Sequence, residues 1–404
     1  MLLFLVKNKN ILFFCIATFL TEIGMGLTQV SVYGMLSSEK VSTFIYGVAF
    51  FLTLFPGFIA TLFVTNIIKK FPLHRLFIVI NTTSSFFLFF PLYGSYYNNI
   101  YIIISALIVS SFSSGFLFTI IQTYIKKTCK ENNLILYSKI DSLLFTANIF
   151  IGVGLGSLLY PFLGSRIYII MNIIFYIISS ILVYICFKVK PEYMAVKDNN
   201  IEKIYKFNLL NSKQKKSLLF TPFLCFITTP LITLLPLIGR KYGINFNIFE
   251  MFLSNSVTSF LFAKSLGQLI GPSIMKKSLF HNLLLNYNKI IFLIMVFIFC
   301  YLISYFINSF YISILLIIIA HISSNILTTL GFYIFQKEFS EEEVVYFSSI
   351  QYRITIIVMS LCSIMSPILY ELTNFILISF LPLFILLLLF LVIKNIPYKK
   401  KYIF

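Results

Sequence analysis

The chain has 404 residues, 59% of them hydrophobic and 11% charged, against about 45–50% apolar and about 25% charged in an average soluble domain. That balance excludes a soluble enzyme, and since one helical crossing takes roughly 20 apolar residues, it leaves no room for a large extramembrane domain. The formal charge of +18, from 31 Lys and Arg against 13 Asp and Glu, points to nucleic acid, anionic lipid or membrane topology, and its position along the chain decides among them.

Apolar stretches between polar breaks predict twelve spans, at 11–33, 43–68, 76–94, 100–124, 140–163, 167–187, 218–239, 251–275, 290–307, 311–335, 351–370 and 375–393. The runs are continuous and lack the alternation of barrel strands. Helices, which satisfy their own backbone hydrogen bonds, are therefore expected. The first run, Ile11 to Tyr33, follows Lys7 and Lys9 as a signal peptide would. It is too long for such a core, and it carries Glu22 with no small-residue cleavage site, so it is read as a retained span.

With the N-terminus in the cytoplasm, 25 of the 31 basic residues fall on inner loops, and only Lys40, Arg166, Arg240 and Lys241 fall outside. The positive-inside rule then predicts that both termini are cytoplasmic, in a cell (inner) membrane protein. Topology absorbs the basic excess, and a nucleic-acid partner lacks both a folded domain and a stacking platform. The basic stretch 188–217 is read as a cytoplasmic linker, with room for a short amphipathic helix on the anionic leaflet. Glu341, Glu342 and Glu343 are read as a solvated loop.

Internal similarity divides the chain at that linker, into bundles at 1–187 and 218–404. Lys69-Lys70 with His74 recurs as Lys276-Lys277 with His281, displaced by 207 residues. Ser110-Ser111 to Ile121-Gln122 recurs as Ser323-Ser324 to Phe335-Gln336, displaced by 213 to 214, and Pro161 answers Pro367, displaced by 206. One shift of about half the chain fits a duplicated six-helix unit.

Few ionisable groups lie in mid-span, where such a side chain costs roughly 2.5–3.5 kcal/mol on insertion scales. Glu22 is central in span one and shares its face with Thr18, Met25, Gly26 and Gln29. It reads either as a proton-coupling or substrate residue, or as one half of an interhelical hydrogen bond. Lys264 is equally central in span eight, with Gln268 one turn along, and is placed to meet an anionic substrate or to pair with Glu22. His321 in span ten, with Asn325 one turn on, reads as a titrating residue or as a packed, hydrogen-bonded one. Asp141 and Arg353 open spans five and eleven at comparable places, where an ion pair between the halves would gate access, or where each is an ordinary interfacial charge.

No enzyme, cofactor or metal signature is present. There is no Walker loop, the three histidines lie far apart without ligand spacing, and the six cysteines stand singly with no C-x-x-C pair.

Twelve helices in two six-helix halves, inner termini and a basic central loop resemble the major facilitator superfamily over nearly the whole chain. The loop after span two in that family reads like G-x-x-x-D-R-x-G-R-R. Here Thr65 to Arg75 keeps basic residues at Lys70 and Arg75 but lacks both glycines and the acid. Span five carries Gly152, Gly154 and Gly156, then Tyr160-Pro161-Phe162-Leu163-Gly164, similar to the Gly/Pro-rich motif of exporters in this superfamily. The exporters' Arg in span four is replaced by Ser110, Ser111, Ser113, Ser114 and Gly115.

The resemblance implies an all-α polytopic transporter with spans one, four, seven and ten around a central cavity, so that Glu22 and Gln29 point inward. It implies alternating access, protons and a small molecule or peptide as partners, surrounding lipid, and a monomer. Length, composition and cationic residues are also similar to exporters encoded with microcin C-type peptide-nucleotide antibiotics, which implies drug or antibiotic efflux by antiport, secretion and self-immunity. A polysaccharide-lipid flippase and a non-transporting membrane scaffold are the alternatives.

Overall fold

The computed structural model of the protein describes residues 9–38, 43–128, 134–189, 207–233, 256–373 and the single positions 235, 238 and 242. Helices α1 to α7 are Lys9–Ser38, Thr43–Lys70, Leu73–Phe87, Phe89–Tyr96, Ile100–Thr128, Leu134–Ala147 and Gly156–Val189, with a π-helical segment Asn148–Leu155 between the last two. Helices α8 to α13 are Ser212–Thr233, Ser256–Ile274, Lys277–Leu285, Tyr287–Phe306, Phe310–Glu338 and Glu341–Thr373. Among the described residues, nine helical stretches are long and apolar enough to cross a membrane. Predicted span twelve, at 375–393, lies outside the described residues.

Polarity is inverted relative to a soluble protein. Phe63, Ile181, Phe292 and Leu315 are each more than half exposed, while Thr28, Asn81, Asn172, Gln122 and Gln336 are buried. Apolar side chains outside and polar ones between helices are what a lipid solvent demands. Tyr93, Tyr96, Tyr97 and Tyr101 stay exposed around the turn that leads into α5, and the Arg166 guanidinium lies 3.9 Å from the centre of the Tyr96 ring. These aromatics form a belt of the kind found at the headgroup level.

Helices α1, α5 and α7 form the centre of the first group, with α2 on α5 and α3 on α7, while α9 and α11 pack on α12 in the second. The groups meet where α13 lies on α2 and α5, where α12 lies on α6, and where α9 lies on α6 and the π-helical segment. Aromatic side chains fill both interiors, Phe14 between Phe77 and Tyr124 in the first and Phe260, Phe297 and Tyr301 in the second.

The 54-residue stretch Leu134–Phe187 contains predicted spans five and six, and it is broken at Gly164, where φ is 67. That backbone region is open to glycine without a Cβ clash. The chain reverses there. Residues 12 apart in a continuous helix sit about 18 Å from each other, yet the Tyr168 hydroxyl donates to the Gly156 carbonyl at 2.6 Å.

Two helix starts differ from the sequence reading, for one reason. Glu341, Glu342 and Glu343 form the first turn of α13 rather than a loop. Glu343 accepts from the Ser340 backbone N–H at 2.9 Å, and Ser340 Oγ accepts in return from the Glu343 N–H at 3.4 Å. This is a capping box with acids at the positive end of the helix. Asn211 and Gln214 form the same reciprocal pair, at 2.8 and 3.2 Å, so α8 begins at Ser212, inside the stretch predicted as linker.

Candidate functional site

Helix α1 has Met25 and Gln29 one turn apart, and α5 has Ser110, Ser111 and Ser114 on one face. With Thr53, Leu107 and Asn148 they enclose a cavity of about 50 Å³. A water needs about 10–15 Å³ of such space, so this state holds room for a few waters beside hydroxyl and amide groups. Asn148 Nδ2 donates to Glu22 Oε2 at 3.2 Å, which places the partly buried acid against the cavity wall. From the second group, the Tyr352 hydroxyl reaches Ser114 Oγ at 3.2 Å.

Asn148 opens the π-helical segment, and the glycines that follow fix what touches it. An added Cβ at Gly152 would lie 2.7 Å from Gly26 Cα and 2.8 Å from the Ile23 carbonyl oxygen, and one at Gly154 would lie 2.7 Å from Ser265 Oγ. The segment is therefore wedged between α1 and α9. Wide turns of this kind occur frequently at functional sites, because they re-aim side chains within a helix. Gly152→Ala is expected to destabilise the protein by at least the ~1–3 kcal/mol of an overpacked core, because backbone stands in the way. Thermal unfolding in detergent, compared with Gly156→Ala as a control whose added Cβ would meet first only the Leu27 side-chain end at 3.0 Å, measures it.

The second cluster lies on α9 and α12. His321, fully buried, shares a 2.6 Å hydrogen bond between Nε2 and the Tyr301 hydroxyl and meets Phe297 edge-on, while its Nδ1 is unpartnered. Lys264 lies one turn before Gly267, where an added Cβ would come 2.8 Å from His321 Cβ. Asn325 donates to the Gln268 carbonyl and, at 3.3 Å, to Thr146 Oγ1 of the first group. The side-chain oxygen of Gln268 is buried without a partner.

A third set forms a polar ladder toward the basic ends of α5 and α12. Asn325, Thr329 and Gln336 are spaced four and seven apart, on one helical face. They meet Thr146, Ser142 and Gln122 of the first group. Thr329 Oγ1 donates to Ser142 Oγ at 3.0 Å, and Gln336 Nε2 donates to Gln122 Oε1 at 2.7 Å and to its carbonyl at 3.1 Å. Gln122 Nε2 donates at 2.6 Å to Asp141 Oδ2, itself buried, and the Lys126 ammonium donates to the Gln336 carbonyl.

In this state Asp141 thus meets Gln122, and Arg353 Nε donates to Ser349 of its own helix at 3.3 Å; neither is paired with the other among the described residues. Glu22 and Lys264 are likewise not paired to each other, since Glu22 is held by Asn148 and the two charges flank the π-helical segment. Asn148, Tyr352 and Tyr301 carry no mark in the sequence that separates them from other polar residues in apolar runs. Gln122 and Gln336 do carry one, their 214-residue displacement. Among the described residues, no three His, Cys, Asp or Glu side chains are grouped to hold a metal.

The family model of the Major Facilitator Superfamily matches residues 14–343. No curated protein matches the sequence, but solved structures share the fold over nearly the whole length. A bacterial homologue of the iron transporter ferroportin, in an outward-facing state, is 11% identical with a TM-score of 0.66, covering 93% of this chain and 96% of its own. The E. coli fucose:proton symporter FucP is 14% identical with a TM-score of 0.65, covering 92% and 94%. The human organic anion transporter MFSD10 is 9% identical with a TM-score of 0.66, covering 94% and 98%. The family match over residues 14–343, more than half of the sequence, decides the family: the chain belongs to the Major Facilitator Superfamily and is a multi-pass membrane transporter.

Proposed function

We propose that the protein is a proton-coupled secondary transporter working by alternating access, an exporter of a drug or peptide antibiotic. In this reading the halves 1–187 and 218–404 rock about a midplane site, the termini face the cytoplasm of an inner membrane, and the working unit is a monomer in lipid. The observation that carries it is Glu22, a mid-span acid hydrogen-bonded to Asn148, which itself lines the cavity. A carboxyl so placed can bind and release a proton as its surroundings change, at a depth where ionisable groups are rare. The glycines of the π-helical segment support the exporter direction, since they occupy the place of the exporters' Gly/Pro-rich motif. Export of a microcin C-like peptide-nucleotide, giving secretion and self-immunity, is the narrower form of the same reading.

The test is uptake into everted membrane vesicles energised with an acidic lumen. Antibiotics, dyes and an acidic peptide-nucleotide are expected to accumulate against their gradient and to leak away when a protonophore is added. Transport indifferent to the proton gradient overturns the coupling. Movement of a lipid-linked sugar in its place replaces the exporter with a flippase.

A further inference from the structure

Lys264 stands in the middle of α9 without a counter-charge among the described residues. Its side chain is only partly exposed, and among the described residues it has neither an ion-pair nor a hydrogen-bond partner. It is 8 residues from Ser256 and 10 from Ile274, which at 1.5 Å per residue is about 12–15 Å of helix either way. A lysine stem of four carbons cannot carry the ammonium over that distance to an interface. The acids in the bundle interior are already engaged, Glu22 by Asn148 and Asp141 by Gln122.

What surrounds Lys264 brings no negative charge. His321 is a fully buried imidazole whose Nε2 is taken by Tyr301 and whose Nδ1 has no partner. Ser265 turns its hydroxyl to the Phe262 carbonyl at 2.7 Å. The Gln268 carbonyl is occupied by Asn325, although its side-chain oxygen is unpartnered. The tight approach of α9 to α12, where a Cβ on Gly267 would lie 2.8 Å from His321 Cβ, keeps these groups from rearranging around the charge. An uncompensated ammonium in mid-membrane is costly, and none of the described residues supplies an anion for it.

We propose that Lys264 is the contact point for an anionic group, a carboxylate or a phosphate-like group, on the transported molecule. The inference rests on the transporter reading above and adds the substrate's chemical class. A molecule whose anion reaches Lys264 restores the missing negative charge, whereas a cationic molecule meets like charge there. The site therefore selects by sign as well as by size.

Binding to purified protein in detergent tests this without any proton gradient. Thermal unfolding is followed at constant ionic strength against phenylphosphonate, benzoate and, as the cationic control, phenyltrimethylammonium. A saturable rise in midpoint is expected with at least one anion and not with the cation, and the ranking of the two anions separates phosphate-like from carboxylate recognition. Lys264→Gln should weaken that anion's binding by about tenfold or more, equivalent to ~1.4 kcal/mol, while Lys264→Arg stays within about threefold. Without ligand, Lys264→Gln and Lys264→Met should unfold at a higher temperature than the unsubstituted protein, because an unpaired charge is removed. If no anion binds, or if binding is equal in Lys264→Gln or Lys264→Met and the unsubstituted protein, the assignment is overturned. Anion binding with no proton-driven transport would instead overturn the coupling reading and leave this one standing.

Discussion

Glu22→Gln is expected to abolish transport driven by a proton gradient while leaving substrate exchange across the membrane at an equal rate on both sides. The glutamine amide has the shape of the carboxyl, and its oxygen can still accept from Asn148 Nδ2, which now meets Glu22 Oε2 at 3.2 Å. Cavity geometry is then preserved and only proton binding is lost. In an alternating-access cycle, a carrier that cannot release its proton can still return with substrate bound, so exchange continues when net movement stops. Asn148→Leu is the complementary change. It removes the donor, leaves the carboxyl, and is expected to slow transport without uncoupling it. Counterflow and gradient-driven uptake in the same proteoliposomes measure both quantities. Unchanged driven transport in a folded Glu22→Gln protein would assign the coupling to another residue.

The sequence was informative about where charge and apolar length lie, and silent about direction. Span positions follow from the length of helix a bilayer requires; the described helices lie over them and extend beyond several of their ends, at Leu134 before span five and at two capped starts. There the pairs Ser340 with Glu343 and Asn211 with Gln214 extend α13 and α8 into stretches read as polar loop and linker. The cost of a mid-membrane charge is also legible, which is why Glu22 and Lys264 stand out. Their mutual distance is not legible, because it depends on the π-helical segment lying between α1 and α9. That placement comes from backbone contact at Gly26 with Gly152 and close packing at Gly154 with Ser265. Asn148 was invisible for the same reason: an amide in Thr146-Ala147-Asn148-Ile149 has no partner until Glu22 is brought to it. Gln122 and Gln336 were visible as repeat markers, but a displacement of 214 residues says nothing of a direct hydrogen bond.

That bond leads to the second large effect, a shift of the access equilibrium when the ladder is cut. The loop after span two lacks both glycines and the acid of the family's pattern, and the contacts that join the groups toward the basic end run through Gln122, Gln336, Ser142 and Thr329 instead. Interhelical hydrogen bonds in bilayers average about 0.6 kcal/mol and reach about 1.7, so Gln336→Leu should favour opening at this end by roughly threefold to fifteenfold. Gln122→Leu should do more, because Asp141 then loses its 2.6 Å donor and a buried unsatisfied group costs about 1–3 kcal/mol, more when charged. Opening at that end rehydrates it. The double substitution should fall short of the sum, since the two side chains bond each other. Labelling of Ser138→Cys, buried beside the ladder, by a membrane-impermeant maleimide in a background freed of native cysteines reports the open fraction. Faster labelling in the order Gln336→Leu then Gln122→Leu is the expected result. Equal rates in all variants would mean that the ladder packs the helices without holding the state closed.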